Sequence, residues 1–560
     1  MARNQSLGRR LAPVSAAVLW MFAALGSISS QAQIVTVSGR PVEAWIVEAR
    51  ALTRAVMPPA LADQILPVVE AATAADKLEG LDRTRPWGGF ADLPAAGEAP
   101  LVAVAFPVTD AARFLETLKG LGLGVDPQPA RPGFRSFTHV VTLPDGATRF
   151  YVFPTEGKYL FFSMFPGRPE RFEKLDLAQL DRARPKSSSL TVSARLDRVP
   201  VELRNQFLSS FDEAVKRMSE RNPGENDAAF LGRKVGQDLT ASLFRTLARE
   251  GREVAVDFEL DSANGPIALE VRVSGTEGSG LDAAITGIEK QRSRFSDASG
   301  ESIFESHFAA RLPKSLRDAM VELARMSEAG VEKEAKNDEE RRIAKAIANW
   351  TIKTLAADST EMLLALRGPF AVEGEPKRDR HALVAAMHIE DPAVLEALIR
   401  DSAGKQGAIL DIAKGPDGRG SIHKLGSSTG DAAAEGLFGR LDVFLAIRDD
   451  LAWMAVGEPG IAALRKAMEE SAAPAPASGS PVAVTLEIGR LMRAIPAQGG
   501  DPNIARAARA VFEEATLAKN RLQLTMQAKE KVLRIRLASD VVLLRSIMAL
   551  GMAIQGPARP

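Results

Sequence analysis

Apolar and polar positions alternate along this chain in short runs. Leu190, Val192, Ala194 and Leu196 alternate with polar neighbours, and Val482, Val484, Leu486 and Ile488 repeat the pattern 292 residues later. Period-two alternation predicts half-buried strands. Leu101–Phe106 and Leu383–Met387 are apolar throughout and predict strands too. Val108-Thr109-Asp110 follows the first and Ile389-Glu390-Asp391 the second. Helical spacing comes next, with Phe114, Leu115 and Leu118 on one face, and Leu395 and Leu398 in the later copy. Asp110 and Asp391 are each placed to cap their helix by accepting a backbone N–H.

Two further patterns recur in the same order. Pro144-Asp145-Gly146 and Pro416-Asp417-Gly418 both predict tight turns, since Pro presets φ and Gly accepts a positive φ. Tyr159–Phe162 runs through Pro166-Gly-Arg-Pro169 to Phe172, and Leu451–Met454 runs through Gly457-Glu-Pro459 to Leu464. Both copies then pass through helical sequence into a hairpin, Val254–Phe258 with Ile267–Val271 and Leu522–Met526 with Val532–Leu537. Four matches in one order predict two pseudo-equivalent halves, 35–295 and 303–555. Each half reads as antiparallel strands with amphipathic helices packed on them, an α+β class. Ser471–Pro481 is Pro/Ala/Ser-rich and reads as a linker inside the second half. Asn222-Pro-Gly-Glu-Asn226 breaks a helical region into a helical hairpin, and the charge-dense 328–345 stretch reads as a solvated helix bend.

The N-terminus changes the picture of where the protein works. Arg3, Arg9 and Arg10 precede the apolar run Val14–Gly26, and Ser30-Gln31-Ala32 follows as a small-x-small site. That order predicts a signal peptide over 1–32 and a mature chain beginning near Gln33. The apolar run is too short to span a bilayer comfortably, and no later stretch is apolar for 18 residues. The expected location is extracytoplasmic, periplasmic or secreted, with no integral membrane segment after signal removal. Lys+Arg and Asp+Glu number 71 each, and there is no Cys. The charge balance argues against broad nucleic-acid binding. Lack of Cys excludes thiol catalysis and Cys-ligated metal, and suits an oxidising compartment.

The segments DRTRPWG (82–88), FPVTDAARFLETL (106–118), SARLDRVPVELRNQF (193–207) and NPGENDAAFLGRKV (222–235), with the Tyr/Phe strand between them, carry a resemblance. The chain resembles a group of large exported planctomycete proteins of unknown function with a duplicated α+β module. The resemblance covers most of 45–551. It implies a shared fold and an extracytoplasmic location, and brings no catalytic residues with it.

Candidate chemistry is sparse. His139, His307, His381, His388 and His423 form no H-E-x-x-H and no i, i+4 pair. His381 and His388 are seven apart, which in a strand sends them to opposite faces. All five read as surface or strand-end histidines. Gly275-Thr-Glu-Gly-Ser-Gly280 lacks the spacing of a nucleophile elbow and reads as a loop entering a helix near Leu281. Gly404-Lys405 and Gly418-Arg-Gly420 do not complete a phosphate cradle. Asp257 with Glu259 and Asp110 with Glu116 are carboxylate pairs, the former expected on a solvated strand face. Tyr151, Phe153, Tyr159, Phe161, Phe162 and Phe165 form the densest aromatic cluster and read as core on both faces, with a ligand groove as the other reading. No catalytic, cofactor-binding or metal residue is assigned, and no cofactor is implied. The sequence favours a non-catalytic binding or structural envelope protein with a protein or apolar-ligand partner. A carrier or sensor of an apolar ligand and a metal-independent hydrolase are the alternatives.

Overall fold

The computed structural model describes residues 33–555 except 58, 75–77, 93–100, 129–136, 155–157, 166–180, 183, 262–265, 296–301, 312–316, 319, 323, 326–337, 358–359, 373–374, 404–407, 429–431, 472–479, 495–505, 507–510 and 513–519. The expected signal peptide, Phe172, Gly404-Lys405, most of the linker and the first part of the charge-dense 328–345 stretch lie outside the described residues. The architecture is α+β, with two compact units. Described residues up to Met218, with Phe244–Leu281, form the first; Ser219–Leu243, with the described residues from Asp282 onward, form the second.

The first unit contains β1 (Gln33–Gly39), α1 (Val42–Val56), α2 (Pro59–Ala72), β2 (Trp87–Asp92), β3 (Leu101–Pro107), α3 (Ala111–Gly120), β4 (Gly124–Pro127), β5 (His139–Thr142), β6 (Arg149–Pro154), β7 (Tyr159–Ser163), β8 (Leu190–Arg195) and α4 (Val201–Met218). The chain then runs through α5 (Asp227–Glu250), β9 (Gly251–Leu260) and β10 (Pro266–Gly275) to α6 (Gly280–Glu289). The strands pair antiparallel in the order β4-β5-β6-β7-β3-β2-β1-β8-β9-β10.

Local chemistry explains several of these elements. Asp110 caps α3 by accepting the Arg113 N–H at 3.1 Å. The Asn222–Asn226 break separates α4 from α5. Beyond it, Phe207 and Phe211 of α4 meet Phe244 of α5, and Arg245 bonds Asp212 at 2.7 Å. The aromatic strand β7 is core on both faces. Phe161 packs with Phe90, Ala103, Ala105 and Phe153, while Leu160 and Phe162 pack with Phe114 and Leu115 of α3.

The second unit contains β11 (Ser302–Ala310), α7 (Asp338–Ala356), β12 (Thr360–Val372), β13 (Glu375–His388), α8 (Pro392–Ala403), β14 (Ile409–Lys414), β15 (Ser421–Ser428), α9 (Ala432–Phe438), β16 (Leu441–Arg448), β17 (Leu451–Val456), α10 (Gly460–Ser471), β18 (Val482–Glu487), α11 (Ile488–Ala494), β19 (Arg521–Lys529), β20 (Val532–Asp540) and α12 (Val541–Gln555). Its strands pair antiparallel in the order β14-β15-β16-β17-β13-β12-β11-β18-β19-β20. The largest core lies under α10, where Ala463, Leu464, Ala467 and Met468 meet Phe444, Trp453 and Ala455. Phe295, the last residue of the first half as the sequence divides it, packs in this core, edge-on to Trp453 with ring centroids 5.7 Å apart.

Two sequence expectations are corrected here. The two Pro-Asp-Gly turns do not match. Pro144-Asp145-Gly146 closes the β5–β6 hairpin, whereas Pro416-Asp417-Gly418 closes β14–β15, one hairpin earlier in its strand order. The motif specifies a reversal, with φ of +69° at Gly146 and +74° at Gly418, and says nothing about which hairpin it closes. Asp391 stands at φ +52° and gives its carboxylate to Lys353. Its left-handed backbone is not the extended conformation of a capping residue, and its main-chain carbonyl accepts the Val394 N–H at 3.1 Å.

Candidate functional site

The structure moves several sequence candidates inside. His307, His381 and His423 are buried, which overturns their reading as surface or strand-end groups. His423 Nδ1 accepts the Asp411 N–H at 3.1 Å, so the proton of the neutral ring sits on Nε2, 3.3 Å from Glu396 Oε1. His307 Nε2 lies 3.1 Å from the Ser480 carbonyl, and its Nδ1 faces Glu305 at 4.0 Å. His381 and His388 fall on opposite faces of β13, as their spacing requires; His388 lies 3.4 Å from Asp450. Among the described residues no group of three or more His, Asp or Glu is placed to hold a metal ion.

Asp257 is also buried, 1% exposed, contrary to its expected solvated face. Thr191 donates to it at 2.5 Å, and Arg272 reaches both its oxygens at 2.5 and 3.3 Å. Glu259 instead accepts from Ser187 at 2.8 Å, so the two carboxylates serve separate contacts. The Gly275–Gly280 loop enters α6 as expected, and its anion-accepting end is filled by the chain itself: Leu281 N donates to the Glu250 carboxylate at 2.7 Å.

The second unit holds three further ionic clusters. Arg367 bonds Glu470 at 2.5 Å and faces Glu305 at 3.9 Å. Asp442 is held by Lys424 at 2.9 Å, by Arg440 at 2.8 Å and by Ser427. Burial pushes the Asp442 carboxyl up, but the hydrogen bonds from Arg440, Ser427 and Lys424 win and hold it below the usual range. Arg294 forks to Asp450 at 2.8 and 3.2 Å and bonds Glu361 at 2.7 Å. In each cluster the charges face one another, a structural use of ionic groups.

A different feature faces outward. On β12, Leu363 and Ala365 point into the α10 core, so Met362, Leu364 and Leu366 line the opposite face. The register carries that face across five strands. Its middle row is Leu364, Ser306, Val484, Leu524 and Leu537. One flanking row is Leu366, Phe304, Leu486 and Leu522, and the other Met362, Phe308, Val482, Met526 and Ile535. Met362, Leu364, Leu524 and Leu537 on this face are 37–43% exposed. Periodicity marked these strands as half-buried but gave no sign that the apolar side is the open one. In the first unit the strands β1, β8, β9 and β10 also have an apolar face, and there Trp45 of α1 stacks on Phe258, with ring centroids 6.4 Å apart.

No described helix is long and apolar enough to cross a membrane. Scans against protein-family models, curated proteins and solved structures find no match.

Proposed function

We propose that this chain is an exported, non-catalytic binding protein of two repeated α+β halves, and that the open apolar face of the second unit is its recognition surface. The observation that carries the reading is the three-row apolar face of β12-β11-β18-β19-β20, with the four large apolar side chains Met362, Leu364, Leu524 and Leu537 37–43% exposed. A contiguous exposed patch of this kind marks an interaction site or a ligand groove. Repetition is supported by the strand orders: the second is the first with every strand number raised by ten. Export rests on residues 1–32, and kinship with the exported planctomycete group rests on the four motif segments.

The test uses the mature chain and the apolar dye anilinonaphthalene sulfonate. Saturable enhancement of its emission is expected, and the double change Leu364→Thr, Leu524→Thr should abolish it while leaving the melting temperature in place. Thr keeps the strand preference and removes the apolar contact. Dye binding that ignores both changes would refute the reading.

A further inference from the structure

We infer that this face recognises a second copy of the chain; the inference rests on the recognition role just proposed. The face does not stop at β12. Its middle row runs on from Leu364 through Ala385 of β13 to Met454 of β17, and a flanking row from Leu366 through Leu383 to Val456. Met454 is 39% exposed, so the middle row is still open there. The other flanking row is closed beyond Met362, because Leu395 and Ile399 of α8 pack over Met387 and Ala452. The open face thus spans seven strands, from β20 to β17.

Composition and area select the occupant. No position in these rows is charged, and only Ser306 and Ser539 bring hydroxyls. A two-fold pairing sets a patch against itself, so a patch of one charge sign opposes its like, whereas an uncharged one meets its copy without that cost. Interfaces between different, separately stable proteins are about as apolar as any protein surface. Those between identical chains are more apolar and lose charge at their centre. The area agrees. With about 4.8 Å between strands and about 6.8 Å between rows, the open positions cover on the order of 600 Å². Stable pairs bury roughly 600–1,000 Å² per partner. The relief suits sheet on sheet. Small Ser306, Val484 and Ala385 lie among the larger Leu364, Leu524 and Met454, so the face offers hollows for the side chains of its own copy, the two sheets lying about 10 Å apart.

Light scattering of the mature chain over a range of concentrations tests this. The mass is expected to rise from one chain at high dilution to two. The single chain should take anilinonaphthalene sulfonate on its open face and expel it on pairing, so emission per chain falls as concentration rises. Leu524→Asp places a charge in the face of each copy and should hold the mass at one chain throughout. Should it fail to fold, Leu364→Thr with Leu524→Thr should weaken pairing at least tenfold. Val68→Asp, at an exposed position of α2 in the first unit, should leave pairing unchanged. A mass of one chain at every concentration with dye still bound overturns the pairing and leaves the recognition role standing. So does a doubled mass that ignores both the Asp and the Thr changes at this face. A chain that stays single and binds phosphatidylcholine vesicles assigns the face to lipid and also overturns the pairing. A single mass with no dye bound at any dilution defeats the underlying role.

Discussion

The Asp257 carboxylate is almost wholly withdrawn from water, and Thr191 and Arg272 are what make that position tenable. Removing one partner of a buried ion pair leaves the other uncompensated. Arg272→Ala, which leaves the buried Asp257 carboxylate without its charge partner, is expected to destabilise the first unit by about 3–5 kcal/mol. Urea unfolding followed by the fluorescence of Trp45 and Trp87 measures it, and the change should exceed that of Glu259→Ala. Glu225 shows the solvent-side counterpart. The Arg233 hydrogen bond lowers its carboxyl from 4.5 to about 2, helped by the Asn222 N–H. Since the folded value is depressed, the stabilisation is present above pH 4.5 and lost as pH falls toward about 2. An NMR titration should place the Glu225 midpoint near 2, moved back toward 4.5 by Arg233→Gln. Neither residue was legible in this detail. In the run Val254-Ala-Val-Asp-Phe258, alternation assigns Asp257 the face opposite Val254, Val256 and Phe258, and such a face ordinarily meets water. Its burial depends on the Thr191 and Arg272 contacts across neighbouring strands, which no local pattern encodes.

The helix α10 lies close on its sheet because its first residue has no side chain. A Cβ at Gly460 would stand 2.3 Å from Phe444 Cδ2. Gly460→Ala is therefore expected to push helix and sheet apart at a cost of about 1–3 kcal/mol. Leu464→Ala, which empties a wholly buried position, should cost about 2–5 kcal/mol. Thermal unfolding of the two variants, read through Trp453, checks both. Elements of this kind were the most legible level of the chain. The strands at 101–106 and 383–387 are found where apolar runs put them, as is the helix break at 222–226; those read over 190–196 and 482–488 stop at Arg195 and Glu487, because Leu196 opens a 3-10 turn and Ile488 opens α11. What misled was turn chemistry. Pro-Asp-Gly is a local solution to reversing a strand, available to any hairpin, so its recurrence did not identify corresponding hairpins. The open face escaped for a related reason: Leu522, Leu524 and Met526 alternate as residues facing a core do, and periodicity does not say whether anything lies on top of them.

For the whole molecule, export and independence from metal are the expectations to check. N-terminal sequencing of the secreted protein should give Gln33 as the first residue; an intact Met1 would refute cleavage. A strong chelator should leave the melting temperature unchanged, because no metal-binding free energy is then lost. The outermost strand of the second unit bears on a different collective property. On β14, Ile409 and Ile412 are 51% and 40% exposed, and the register breaks between Ile409 and Ala413, where Asp411 takes φ +51°. Arg400 clamps the Asp411 carboxylate at 3.0 and 3.1 Å, and His423 holds its N–H. A straight strand with two exposed isoleucines would be a template for a strand from another molecule. The bend spoils the even spacing such a visitor must match. Arg400→Ala, which frees the bend to straighten, should therefore let concentrated protein grow thioflavin-positive fibres that the native chain resists: the kink at Asp411 works as a stop against polymerisation.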